Sequence, residues 1–181
     1  FNGTVNYRVG WGCAFLDFDN DTLEDLYVVD FGMNGSSQNA DRLYRNAGGA
    51  NFVDVAPDRG IDLSEDGFGM AAGDLDGNGI IDMVISQGDA PVRIWMGSGA
   101  TGNSLELELV GTRSNRDAVG ARVTVTTVRD GATTTQVREV TGQQGFRGQG
   151  DPSPHFGLGE ATTVATVRVR WPSGVITERT D

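Results

Sequence analysis

The 181 residues carry 25 acidic side chains against 14 basic ones, a formal net charge of −11, and the excess is local: residues 1–100 hold 16 Asp or Glu against 5 Arg, whereas residues 101–181 hold 9 of each. Such an acidic chain disfavours nucleic acid as a partner, and no apolar run approaches the roughly 18–20 residues that cross a bilayer as a helix. The length allows one or two cores, and 27 Gly with abundant Val and Thr in short runs predict an all-β chain rich in turns.

Phe1 is followed by neither a basic segment nor an apolar stretch of signal-peptide type, which predicts a fragment or processed product whose targeting signal lies elsewhere. The single cysteine, Cys13, excludes an intramolecular disulfide. Its setting, Gly12-Cys13-Ala14-Phe15, predicts a buried structural thiol on a strand. Asn2, Asn20 and Asn34 each begin an Asn-x-Ser/Thr sequon, of consequence only on a eukaryotic secretory route.

The segment from Gly12 to Val29 aligns without gaps on the segment from Gly69 to Ser86, so that Asp17 falls on Asp74 and Asp25 on Asp82. Each copy reads as a strand of small and apolar residues, an acidic turn, and a strand of branched or aromatic residues, which is a hairpin. Between the copies, Arg42-Leu43-Tyr44-Arg45-Asn46, the Gly48-Gly49 turn and Asn51-Phe52-Val53-Asp54-Val55 predict a second hairpin. Two hairpins per period make a four-stranded unit, the pattern of a propeller blade. The second unit restarts the pattern with Val92-Arg93-Ile94-Trp95-Met96 and ends in the linker-like Gly97-Ser98-Gly99-Ala100-Thr101-Gly102. Two blades cannot close a ring, so apolar blade faces are expected to lie open.

After the linker, Leu105, Leu107 and Leu109 alternate with Glu106 and Glu108. Strands are predicted there and over 121–128, 133–140, 164–171 and 175–180, with Pro172-Ser173-Gly174 as a tight turn. The expected fold is therefore all-β. A partial propeller of two blades occupies residues 1–100, and a small antiparallel, sandwich-like β domain occupies residues 104–181.

The acidic turns place oxygen-bearing side chains at positions 1, 3, 5 and 9: Asp17, Asp19, Asp21 and Asp25 in the first, Asp74, Asp76, Asn78 and Asp82 in the second. Alternation within a tight loop turns every second side chain inward, so one hard cation collects several oxygens, and Leu23 or Ile80 at position 7 can add a backbone carbonyl. Ca²⁺ suits this donor set better than Mg²⁺, which keeps its waters in a rigid octahedron, or Zn²⁺, which prefers His and Cys. An EF-hand is excluded at position 12, where a bidentate Glu is needed and Val28 and Ile85 stand. Two Ca²⁺ sites are expected. The first has more carboxylates but Thr22 at position 6, where the turn prefers glycine; the second has Gly79 there but the neutral Asn78.

These repeats, with Gly67-Phe68-Gly69 and the 74–82 loop, resemble the FG-GAP or VCBS repeats of integrin-α-like propellers. Residues 104–180 resemble the ASPIC/UnbV domain, through the stretch from Gly111 to Val123, His155-Phe156-Gly157-Leu158-Gly159, and Val167-Arg168-Val169-Arg170-Trp171-Pro172-Ser173-Gly174. Where that domain has a Gly-Tyr-x-Ser-Gln-like segment, this chain has Gly145-Phe146-Arg147-Gly148-Gln149. The order of the two parts is similar to that of the cartilage acidic protein-like family and its bacterial relatives. The resemblance implies export to the extracellular space, periplasm or cell surface, further blades N-terminal to Phe1, and a calcium-structured role in adhesion or in binding a protein or glycan. It supplies no catalytic residue.

An enzyme needs a convergent acid, base or nucleophile. His155, the only histidine, reads as a packed turn residue; Arg113, Arg116 and Asp117 read as a loop with its own salt bridge; Trp171 reads as hairpin packing. The chain is accordingly read as non-catalytic, the alternative being an accessory part of a secreted polysaccharide-active or other propeller enzyme.

Overall fold

A computed structural model describes residues 9–31, 40–62, 66–143 and 145–180. The first sheet contains β1 (Val9–Leu16), β2 (Asp25–Phe31), β3 (Arg42–Asn46) and β4 (Phe52–Asp54), antiparallel and in chain order. A single-turn helix, α1 (Ala56–Arg59), leads out of it and ends on Gly60 in the left-handed conformation. The second sheet contains β5 (Gly67–Gly73), β6 (Asp82–Gln87) and β7 (Arg93–Trp95).

The two hairpins repeat in register: Ala14 pairs with Tyr27 and Leu16 with Asp25, as Ala71 pairs with Val84 and Gly73 with Asp82. The second unit corrects the four-strand expectation. Among the described residues it has three strands, because after β7 the chain leaves at Gly97 for the C-terminal part and forms no return strand.

Alternation along the strands decides what each sheet buries. Ala14, Leu16, Tyr27, Val29 and Leu43 of the first sheet pack with Met70, Met83 and Ile85 of the second, with Ala72 and Trp95 at the margin. Fully burying a side chain such as Val29 or Ile85 contributes about 1.5–3 kcal/mol each, so this seam is what joins the two sheets as neighbouring blades. The outward faces find no such cover: Phe15 is 60% and Ile94 57% exposed. Parity also corrects the reading of Cys13. It lies between the inward Gly12 and Ala14 and is exposed.

The C-terminal part has its own core. β9 (Arg122–Arg129), β10 (Ala132–Glu139), β12 (Thr166–Arg170) and β13 (Ile176–Thr180) form one antiparallel sheet in the order β10-β9-β12-β13, and β8 (Asn103–Glu106) pairs with β11 (His155–Gly159). Val123, Val125 and Val169 meet Phe156 and Leu158 across the space between them. The strand expected through Leu109 stops at Glu106, although Leu105, Leu107 and Leu109 do share the face that packs on this core. Trp171 closes the last hairpin, its Nε1 donating to Thr177 Oγ1 at 2.9 Å. In the 111–120 loop Asn115 donates through Nδ2 to Val119 O and accepts through Oδ1 from Val119 N; among the described residues no ion pair joins Arg113 or Arg116 to Asp117, which corrects that expectation.

One segment of the C-terminal part crosses both N-terminal sheets. Phe146 N donates to Trp11 O on β1 and Asp151 N to Ala72 O on β5. The Phe146 ring joins Trp11 at 4.5 Å between centroids, in a cluster with Phe31 and Phe68. The aromatic body at position 146 thus serves packing.

Candidate metal centre

The two acidic loops, residues 17–24 and 74–81, connect the hairpins β1-β2 and β5-β6 and are built by the same hydrogen bonds. Asp17 accepts from the N–H groups of Asp21 (3.0 Å) and Thr22 (2.9 Å); its counterpart Asp74 accepts from Gly77 (2.9 Å), Asn78 (3.1 Å) and Gly79 (2.7 Å). Asp21 Oδ1 accepts from Leu23 N, and Asn78 Oδ1 from Ile80 N. Asp76 Oδ1 accepts from Asn78 N. The sixth residue of each loop has positive φ, +84° at Thr22 and +80° at Gly79. A β-branched residue is strained there and glycine is not.

The ninth-position carboxylates anchor the strands. Asp25 accepts from Phe18 N (3.2 Å) and, across to β3, from Asn46 N (2.7 Å); Asp82 accepts from Leu75 N (2.7 Å) and Gly97 N (2.6 Å). Carboxylate oxygens of Asp17, Asp19 and Asp21 lie within 4.8 Å of one another, as do those of Asp74, Asp76 and Asp82. Two bonds of about 2.3–2.6 Å from one hard cation span that separation. The structure brings Asp82 into its cluster and leaves Asp25 outside the first. Asn78 is exposed and directs Nδ2 to Gly97 O.

Charge distinguishes the two loops. Arg45, from β3, donates through Nε to Asp19 Oδ2 (2.6 Å) and through an Nη to Asp21 Oδ2 (2.8 Å), and these bonds hold its guanidinium firmly charged. Strand pairing sets Tyr44 opposite Leu26 and Trp95 opposite Met83, so Arg45 corresponds to the exposed Met96, and the second loop lacks this cation. The other oxygen of Asp19, Oδ1, is buried and accepts no hydrogen bond. Burial pushes the Asp17 carboxyl up to about 6 and that of Asp25 up to about 7, against the pull of their backbone N–H donors, with neighbouring carboxylates adding to the rise. The first loop, rich in acceptors around the buried Asp17 and with an orphaned carboxylate oxygen on Asp19, fits a hard divalent cation, which relieves the excess negative charge and gives that oxygen a partner.

Sequence reasoning missed Arg45, which belongs to the following hairpin and breaks the repeat, and it read Asn20 only as the start of a sequon. That residue is 2% exposed at the junction of the loops, which also removes it as an acceptor of glycan in the folded chain. Asn2 and Asn34 lie outside the described residues. His155 is half-buried at the start of β11, with Nε2 3.2 Å from Gly79 O, and burial pushes its pKa down. A cleft of about 370 Å³ beside it is lined by Phe15, Glu24, Glu106, Arg138 and Asp151 among others.

Two known families match this chain, the FG-GAP-like repeat over residues 17–85 and ASPIC and UnbV over residues 111–181. The chain carries an FG-GAP-like repeat followed by an ASPIC and UnbV domain. The FG-GAP-like match begins on Asp17 and ends on Ile85, so it spans both loops and the hairpin between them. Among curated relatives, cartilage acidic protein 1 of Homo sapiens and of Mus musculus are each 29% identical over 170 residues, and that of Xenopus tropicalis is 29% identical over 171. The matches cover 90% of this chain but 25% of each relative, so the chain spans about a quarter of their length. Among the described residues no helix is long and apolar enough to cross a membrane.

Proposed function

We propose that the chain is a non-catalytic, calcium-structured binding module of an extracellular propeller protein, with one Ca²⁺ in each acidic loop. Asp17, Asp19 and Asp21 supply the first set, joined by Asp25 and the Leu23 carbonyl as the loop tightens. Asp74, Asp76 and Asp82 supply the second, with Asn78 and the Ile80 carbonyl. The observation that carries this reading is the repetition: two loops at equivalent places in the first hairpins of successive units, with matching internal hydrogen bonds, each gathering three carboxylates within 4.8 Å. The name of the cartilage relatives supports an extracellular setting. Residues 1–100 act as the blade region and 104–181 as a separate domain. The open faces marked by Phe15 and Ile94 receive neighbouring blades, and the assembled surface binds a protein or glycan in an adhesive role.

The test is thermal unfolding with and without chelator, together with elemental analysis for bound metal. With dissociation constants of roughly 10⁻⁴–10⁻³ M, typical of extracellular modules, millimolar Ca²⁺ stabilises by about 0.4–1.4 kcal/mol per site. Asp19→Ala and Asp76→Ala each remove part of the calcium-dependent shift, and the double variant nearly all of it. A midpoint indifferent to chelation, in protein free of metal, would reject the proposal.

A further inference from the structure

We propose that the strand His155–Gly159 of the ASPIC and UnbV domain caps both cation loops, so that cation loading and docking of this domain form one coupled equilibrium; this rests on the calcium reading above. The junction is Asn20, the fourth residue of the first loop. Its Nδ2 donates to Gly79 O in the second loop at 3.0 Å and to Gly102 O in the connecting segment at 3.3 Å, and its backbone carbonyl accepts from Gly159 N at 2.8 Å. One buried residue thereby holds the first loop, the second loop, the connection and the capping strand.

The cap lies directly on a ligand residue. Gly157 approaches the first loop so closely that a Cβ added there would collide with Asp17 Oδ2 and stand 2.6 Å from Asn20 Cα. His155 contacts the second loop: Gly79 O can only accept, so the imidazole Nε2 carries the hydrogen in this 3.2 Å bond. The strand is in turn fixed to its own domain, Gln136 Nε2 donating to Gly157 O at 2.6 Å. Arg138 lies over the Phe156 ring and pairs with Glu24, the last residue of the first loop, at 3.3 Å.

Two consequences follow from this placement. With the strand in place Asp17 is shielded from water, and its attraction for a cation strengthens as the local dielectric falls. Without a cation, the crowded carboxylates push the loop open and displace Asn20, which carries the contacts that hold the strand. By linkage, whatever factor docking adds to cation affinity, the cation adds to docking.

The test is hydrogen exchange and calorimetry on the complete chain, in CaCl₂ and after chelation. Ca²⁺ slows exchange in the peptide containing the Gly159 amide by about tenfold, within the usual range for coupled sites, and leaves the β9 core unchanged. Gly157→Ala, which intrudes on Asp17, weakens Ca²⁺ binding by about tenfold; His155→Ala, which removes atoms without intrusion, weakens it a few-fold and speeds exchange of the 155–159 segment. Wild-type protein that binds Ca²⁺ with unchanged exchange over 155–159 would overturn the cap and leave the calcium reading intact. Absence of any Ca²⁺ binding at millimolar concentration would overturn the calcium reading and the cap with it. If Gly157→Ala does not fold, the wild-type and His155→Ala comparisons decide alone.

Discussion

Arg45→Met gives the first loop the residue found at the matching position of the second, Met96, and its effects on stability and affinity have opposite signs. The guanidinium holds Asp19 Oδ2 at 2.6 Å and Asp21 Oδ2 at 2.8 Å, while Asp19 Oδ1 is left buried and unpartnered. With Ca–O bonds of about 2.3–2.6 Å on the inner side of these carboxylates, the arginine charge sits roughly 6 Å from the cation. A single charge repels a divalent ion at that distance by about 1.4 kcal/mol even at the dielectric constant of water, a factor of about ten in affinity. In the metal-free protein the same side chain offsets carboxylate repulsion, but it is 41% exposed and its removal costs at most about 1 kcal/mol. The expected outcome is a lower midpoint in chelator and about tenfold tighter Ca²⁺ binding at the first loop, measured by calorimetry in an Asp76→Ala background that silences the second. Unchanged or weaker binding by a folded variant would refute the charge argument and make Arg45 an organiser of the carboxylates instead.

Thr22→Gly removes a β-branched residue held at φ +84° and raises stability by about 1 kcal/mol, or roughly 2–4 °C, whereas Gly79→Thr, which puts a side chain at φ +80° beside Ser104, lowers it; a drop for Thr22→Gly would show that the packing of the threonine side chain outweighs the strain. For pH, Asp17 and Asp25 have folded-state values raised to about 6 and about 7, so their stabilising contribution is present below the usual carboxylate value and lost as pH rises through the raised ones. Metal-free protein therefore loses stability between about pH 4 and pH 7, and saturating Ca²⁺, which displaces those protons, flattens or reverses the slope. Melting temperatures across that range in the two conditions check it; parallel curves would contradict the assignment.

The fold class was legible because its signals are local. Alternation predicts β strands, and an acidic turn of fixed length between two strands closes a hairpin wherever it occurs, so the loops at Asp17 and Asp74 could be placed from residue spacing alone. The inward positions 1, 3 and 5 of the first loop are similarly local, all lying between Asp17 and Asp21. Parity was not local. The small, apolar neighbours of Cys13 predict a buried thiol, yet which face of β1 is covered depends on where β5 packs, and that face belongs to Ala14 and Leu16.

The remaining features of the candidate site depend on residues distant in sequence. Asp25 binds Asn46 N across the β2-β3 pair, Arg45 reaches Asp19 only after β3 has returned, and Asn20 meets Gly79, Gly102 and Gly159, which belong to the second loop, the connecting segment and the C-terminal domain. Local patterning is enough to specify the strands, the repeat and the seven carboxylates that could face a cation, since short chain segments have few conformations that keep their apolar residues on one side. How much of the loops' charge is already balanced, which carboxylates serve as anchors, and the placement of a strand of the C-terminal domain over the two loops come from the packing of distant elements. Those outcomes depend on packing between surfaces whose complementarity is spread over many weak contacts, and no single motif records it.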